Sequence, residues 1–207
     1  MTNATTTGHG GRATQDAQTP ASPEKAKAQE YLTTRAEAMT ATQIRARVRA
    51  AVVELDAAVA GVDQEMARAL VVPGEWTIAQ VVDHMAQGTI RVADELRCLI
   101  EGRRPPAVPV YEGVVSGAAH RVPFVELVEG MRAANEEVDA LLGRALDAEP
   151  PAGVAARTIL VINGADGTPE FFDMELTWKG YAMTQRLHLL DHRSQIKKLR
   201  AQHGRPA

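Results

Sequence analysis

The run Ile78, Val81, Val82, Met85, Val92, Leu96 and Leu99 constrains the chain more than any other, because apolar residues at three- and four-residue spacing line one face of an α-helix. Thr77 with Gln80 three residues later matches a capping box, and Gly102 follows the last apolar position, so the stripe has both a start and a stop. A helix of this kind buries one stripe and needs partners.

Three further segments provide them. Ser22-Pro23-Glu24 reads as an N-cap, a first-turn proline and an acid that complements the helix dipole. The helix that follows has a weak stripe through Tyr31, Leu32 and Met39, a break expected near 40–42, and then a stronger stripe of Ile44, Val48, Ala51, Val52, Leu55, Val59 and Val62. Residues 61–76 connect it to the Thr77 helix, with one short helical turn expected between Asp63 and Leu70. Pro123 opens another helix with Phe124, Leu127, Val128, Met131, Val138, Leu141, Leu142 and Ala145, ending ahead of Pro150-Pro151.

The last stripe is Phe172, Leu176, Met183, Leu187, Leu190, Ile196 and Leu199, which the spacing starts at a Thr168-Pro169-Glu170 cap and stops at Gly204. The β-branched run Thr158 to Ile162 before Asn163-Gly164 predicts a short strand and turn, and a hairpin with Glu170 to Met174 is the competing assignment. Between the second and third of these helices, Pro105, Pro106, Pro109 and Gly113 make Gly102 to Arg121 a long crossover. The expected fold class is therefore all-α: a four-helix bundle over 23–207, with a disordered tail over 1–22 that is rich in Thr, Ala, Gly, Gln and Pro.

Composition narrows the function. The 23 Lys plus Arg against 26 Asp plus Glu give a net charge of -3 with no dense basic stripe, which argues against a nucleic-acid partner. No apolar run approaches the roughly 20 residues that span a bilayer, so no membrane partner is expected. The one cysteine, Cys98, fits a reducing cytoplasm and reads as a small helix residue rather than a nucleophile.

His188 and His192 lie four residues apart on the last helix, a spacing that puts two imidazoles on one face. That spacing alone also fits a solvated or core-satisfied pair. A bundle builds metal sites from inward side chains on facing helices, and His84 on the Thr77 helix, with Gly88 one turn on, supplies a third nitrogen. Three neutral histidines leave a further coordination position for water or substrate. Gln195, one turn past His192, fits either a residue that orients a ligand or a solvated side chain. Asp83 and Asp191 adjoin these histidines but point about 100° away on their helices. Arg193 reads as a surface group, Trp76 as a plug before its helix, Tyr181 as a packing residue, His203 as a helix-end residue, and His120 as a reserve ligand on the crossover.

Two stretches resemble the DinB superfamily of metalloenzymes, the DinB/YfiT-like fold. Gly74-Glu75-Trp76-Thr77 through His84 resembles the G-x-W-[ST] helix start and first metal histidine of that family, and His188-Leu189-Leu190-Asp191-His192-Arg193-Ser194-Gln195-Ile196 resembles its H-x-x-x-H-R-x-Q-[IL] ending. The resemblance covers about 41–202. It implies a four-helix bundle, a homodimer, and a divalent metal, zinc or nickel, held by His84, His188 and His192. It also implies a small-molecule substrate and a low-molecular-weight thiol such as mycothiol or bacillithiol, as in thiol transferases and isomerases of the family; a metal-activated thiol or water makes a thiol S-transferase or a hydrolase the expected activity. The alternative is a metal-binding or interaction module without turnover. The 158–167 segment and the extended N-terminal helix depart from the family pattern, so the catalytic residues and the substrate are not carried over.

Overall fold

The computed structural model describes residues 23–106, 115–145, 154–163 and 169–203. The proposed tail over 1–22, the crossover residues Pro109 and Gly113, the Pro150-Pro151 stop, Gly164, Thr168 and the Gly204 stop lie outside them.

Helices dominate. In chain order they are α1 (Pro23–Glu30), α2 (Ala41–Val59), α3 (Gln64–Arg68), α4 (Ile78–Ile100), α5 (Phe124–Ala145) and α6 (Trp178–Gln202), with a π-helical turn over Tyr31–Arg35 and a 3-10 turn over Ala118–His120. The break expected near 40–42 is present, and Thr40 forms a capping box with Gln43 that starts α2. Thr77 and Gln80 form the second one: Gln80 N–H donates to Thr77 Oγ1 at 3.2 Å and Thr77 N–H to Gln80 Oε1 at 2.9 Å. Gly102, with φ of 72°, follows α4 in the left-handed conformation that ends helices at low cost.

The segment before α6 differs from the preferred reading. Residues assigned to the last helix form β2 (Pro169–Leu176), which pairs antiparallel with β1 (Ala156–Asn163) from Ala156↔Leu176 to Asn163↔Pro169. Val161 sits opposite Phe171, and such a β-branched and aromatic cross-strand pair favours a hairpin over a helix. Ala156, Met174 and Leu176 are buried, and α6 begins only after Thr177.

Helix directions explain the crossover. Arg45 and Arg132 pair with Asp139 and Asp56, which sets α2 and α5 antiparallel. Arg193 pairs with Glu54 and Arg200 donates to the Ala58 carbonyl, so α2 and α6 run the same way. Side chains of α4 and α6 meet in reverse order, His84 with His188, Thr89 with Gln185 and Glu95 with Tyr181. It follows that α4 and α5, which pack on each other, run parallel. A parallel neighbour requires the chain to travel back along α4, about 35 Å for its 23 residues. Asp83 near the start of α4 receives the returning chain, accepting from Ser116 N–H at 3.0 Å and from its hydroxyl at 2.7 Å.

Leu32, Ile44, Leu55, Met85, Leu96, Leu99, Leu141, Leu142, Met183 and Leu189 form one core shared by all four long helices. Each such side chain contributes about 1.5 to 3 kcal/mol on burial. The π-helical turn packs on α6 at Gly180, where a Cβ would lie 2.5 Å from the Leu32 carbonyl oxygen, so only glycine admits that approach. No helix among the described residues is long and apolar enough to cross a membrane.

Candidate metal centre

Two helices set the three histidines. The capping box fixes where α4 starts, and burial of Val81, Val82 and Met85 fixes its rotation, leaving His84 at the edge of the buried stripe. On α6, Leu189 and Ile196 are fully buried and anchor the helix, turning His188 and His192 toward α4. The three side chains meet: their ring centroids lie 5.0 Å apart for His84 and His188, 4.8 Å for His84 and His192, and 4.6 Å for His188 and His192. One nitrogen from each lies within 4.8 Å of the other two.

Nε2 of His84 is 2.9 Å from Nε2 of His188. Two nitrogens bound to one ion at about 2.05 Å lie about 2.9 Å apart at a right angle and about 3.3 Å apart at a tetrahedral angle. The pair therefore fits a right-angled arrangement as it stands and a tetrahedral one after a small opening. His192 Nδ1 is 2.8 Å from Gln195 Oε1. A carbonyl oxygen only accepts, so Nδ1 carries the hydrogen and Nε2 keeps its lone pair for the site. The contact favours, of the two readings of Gln195, the one in which it orients His192.

Electrostatics favour the neutral form of His188 and His192. Burial, followed by the nearby His192 and His84, holds His188 well below the ordinary histidine value. His192 is also lowered, first by burial, against an opposing contribution from its Gln195 hydrogen bond. Neutral imidazole is the form that binds a metal. Gly88 lets the His188 ring come close to α4, since a Cβ there would stand 3.3 Å from its Cε1, tighter than an ordinary contact. The donor set, with His188 and His192 held neutral, fits a divalent cation of the borderline class.

Trp76 has a larger part than a plug before its helix. Its ring lies 5.0 Å from His84, tilted by 53°, and stacks at 6.5 Å and 15° on His192, which makes it one wall of the centre. The other residues singled out from the sequence lie away from it. Asp83 holds Ser116, Asp191 is exposed, and Arg193 pairs with Glu54. His120 is exposed on the 3-10 turn, and His203 caps α6 through its backbone N–H. Tyr181 is buried and donates to Glu95, which also accepts from Arg91 Nε at 2.7 Å. Cys98 lines a cleft of about 600 Å³ between α4 and the start of the crossover, and none of the three histidines borders that cleft.

What the sequence reading passed over is a polar seam between α4 and α6. Thr89, Glu95, Tyr181 and Gln185 are all buried there. The signal was present in the spacing: Tyr181, Gln185, His188 and His192 recur at four, three and four residues, a polar stripe on a helix that also has a buried apolar one. Comparison of the chain with family models, with curated proteins and with solved structures gave no match.

Proposed function

We propose that this chain is a DinB-like four-helix bundle that binds one divalent metal, zinc or nickel, through His84, His188 and His192, and serves as a metal-dependent thiol S-transferase or hydrolase. The observation that carries the reading is the meeting of three imidazoles from α4 and α6 at ligand distance. Gln195 holds the His192 tautomer, Trp76 keeps water from one side of that ring, and burial keeps His188 ready to bind without first losing a proton. A divalent ion at such a centre supplies Lewis acidity that lets a bound thiol or water ionise near neutral pH.

Metal content of the purified protein tests the ligand set. About one ion per chain is expected in the wild type, and much less after His84→Ala or His188→Ala; equal content in all three sinks the reading. Activity is tested by incubating metal-loaded protein with mycothiol or bacillithiol and a panel of electrophiles. Turnover that disappears on His192→Ala supports the enzyme, whereas metal binding with no turnover across the panel makes the protein a non-enzymatic module.

A further inference from the structure

Much of the surround of the histidine centre is rigid. α4 lies against the edge of His188 at Gly88, where even a Cβ would be crowded at 3.3 Å from Cε1. Met85 and Leu189, each next to a histidine in sequence, are wholly buried, so no route runs through the core. Gln195 occupies the Nδ1 side of His192. The wall that no helix supplies is Trp76, whose half-buried ring tilts over His84 at 5.0 Å and stacks on His192 at 6.5 Å. Trp76 belongs to the loop 69–77 between α3 and α4. Behind it Val71 packs on the core, whereas Pro73 and Gly74 are exposed. A turn shapes the loop: Glu75 N–H donates to the Val72 carbonyl at 3.1 Å, with Gly74 in the left-handed conformation at φ 81°. Lys198, six residues past His192, ties the loop to α6 by donating from Nζ to Glu75 Oε1 at 2.7 Å. These two side chains are 54% and 34% exposed, and a bridge of that kind holds weakly, the more so in salt.

Resting on the metal reading above, we propose that the 71–76 loop is the entrance of the histidine centre. Trp76 is the leaf that covers the imidazoles, and the Lys198–Glu75 bridge is the latch that holds it shut. The loop opens to pass the ion and closes alike over the metal-free and the loaded centre. A leaf of this kind sets rates and not affinity, because it contributes equally before and after the ion binds. A wall that merely supported His84 and His192 would act on affinity instead.

The test is stopped-flow exchange of cobalt(II) on the full-length protein, read by the absorption of the bound ion. Association is followed with excess cobalt and release with excess EDTA. Trp76→Ala is expected to quicken both about tenfold, the worth of an aromatic ring contact, while affinity shifts by no more than about twofold. Lys198→Met and Glu75→Gln each quicken both about two- to threefold, and being surface changes they carry the test if the Trp76 variant does not fold. Raising the salt speeds release from the wild type and leaves release from these two variants unchanged. Affinity lost through faster release at unchanged association makes Trp76 a support for the ligands and overturns the entrance. Rates that none of the variants alters overturn it as well, and in both cases the metal centre stands. A wild type that binds no cobalt overturns the centre and the entrance together.

Discussion

Two buried regions of this protein follow opposite rules. The main core is filled by Leu, Val, Ile and Met from α2, α4, α5 and α6, whereas the seam between α4 and α6 buries Thr89, Glu95, Tyr181 and Gln185 beside the half-buried His84, His188 and His192. Apolar burial is non-directional and needs only volume and fit. Polar burial needs a named partner for each group, and it costs stability wherever one is lacking. The seam has partners for Glu95 and Tyr181 but leaves Gln185 half satisfied, and it brings the Nε2 atoms of His84 and His188 to 2.9 Å. The half-satisfied Gln185 therefore costs stability in the same strip in which three imidazoles converge.

The largest change should come from the apolar side. Leu141 on α5 is 1% exposed, and Leu141→Ala is expected to cost about 2 to 5 kcal/mol in urea unfolding, through lost transfer energy and the cavity left behind. Metal affinity of the folded fraction should stay within about twofold, because distant sites add independently. Metal affinity lost together with stability would break the separation between the two regions.

A smaller cost is expected within the seam. Burial first, and then the Glu95 carboxylate, hold the Tyr181 phenol far above its ordinary value, so it remains a donor at any physiological pH. Tyr181→Phe keeps the Arg91 hydrogen bond to Glu95 Oε1 but takes the donor from Oε2, and should cost about 1 to 3 kcal/mol through that buried oxygen. The double variant Tyr181→Phe with Glu95→Leu should recover most of this, since replacing both partners by apolar groups removes the orphan. A double variant no more stable than the single one would mean that the pair acts through packing and not through its hydrogen bond.

The two regions were also unequally legible in the sequence. Stripes such as Ile44 to Val59 and Phe124 to Ala145 follow the helical period, and the structure places α2 and α5 over them. Thr77 with Gln80 and the His84, His188 and His192 set were readable because capping and metal ligation use few residue types at fixed spacing. The start of α6 was misread because Phe172 and Leu176 fit a helical stripe as well as a strand, and only pairing with β1 decides between them. Gln185 and Glu95 were passed over since a buried polar side chain is recognised by its partner, and the partner lies on another helix.

The change closest to zero at neutral pH is in the dependence of stability on pH. His188 and His192 are both held below the ordinary value in the folded protein, mainly by burial, while the unfolded chain takes up protons near pH 6.5. Below about pH 6.5 the unfolded state therefore binds more protons than the folded one, and stability falls as pH falls until the folded rings protonate as well. Asp139, lowered by its hydrogen bond with Arg45, loses its contribution in a lower window, below the ordinary carboxylate value of 3.8. For metal-free protein, the urea midpoint should be level from about pH 8 to 7 and decline from about pH 6.5 to 5. The decline should be shallower in His188→Ala. His192→Ala should flatten it less, because the Gln195 hydrogen bond offsets part of the His192 shift. A midpoint that stays level down to pH 5 would mean that the imidazoles take up protons within the folded seam, and the neutral lone pairs on which the metal centre depends would be lost with them.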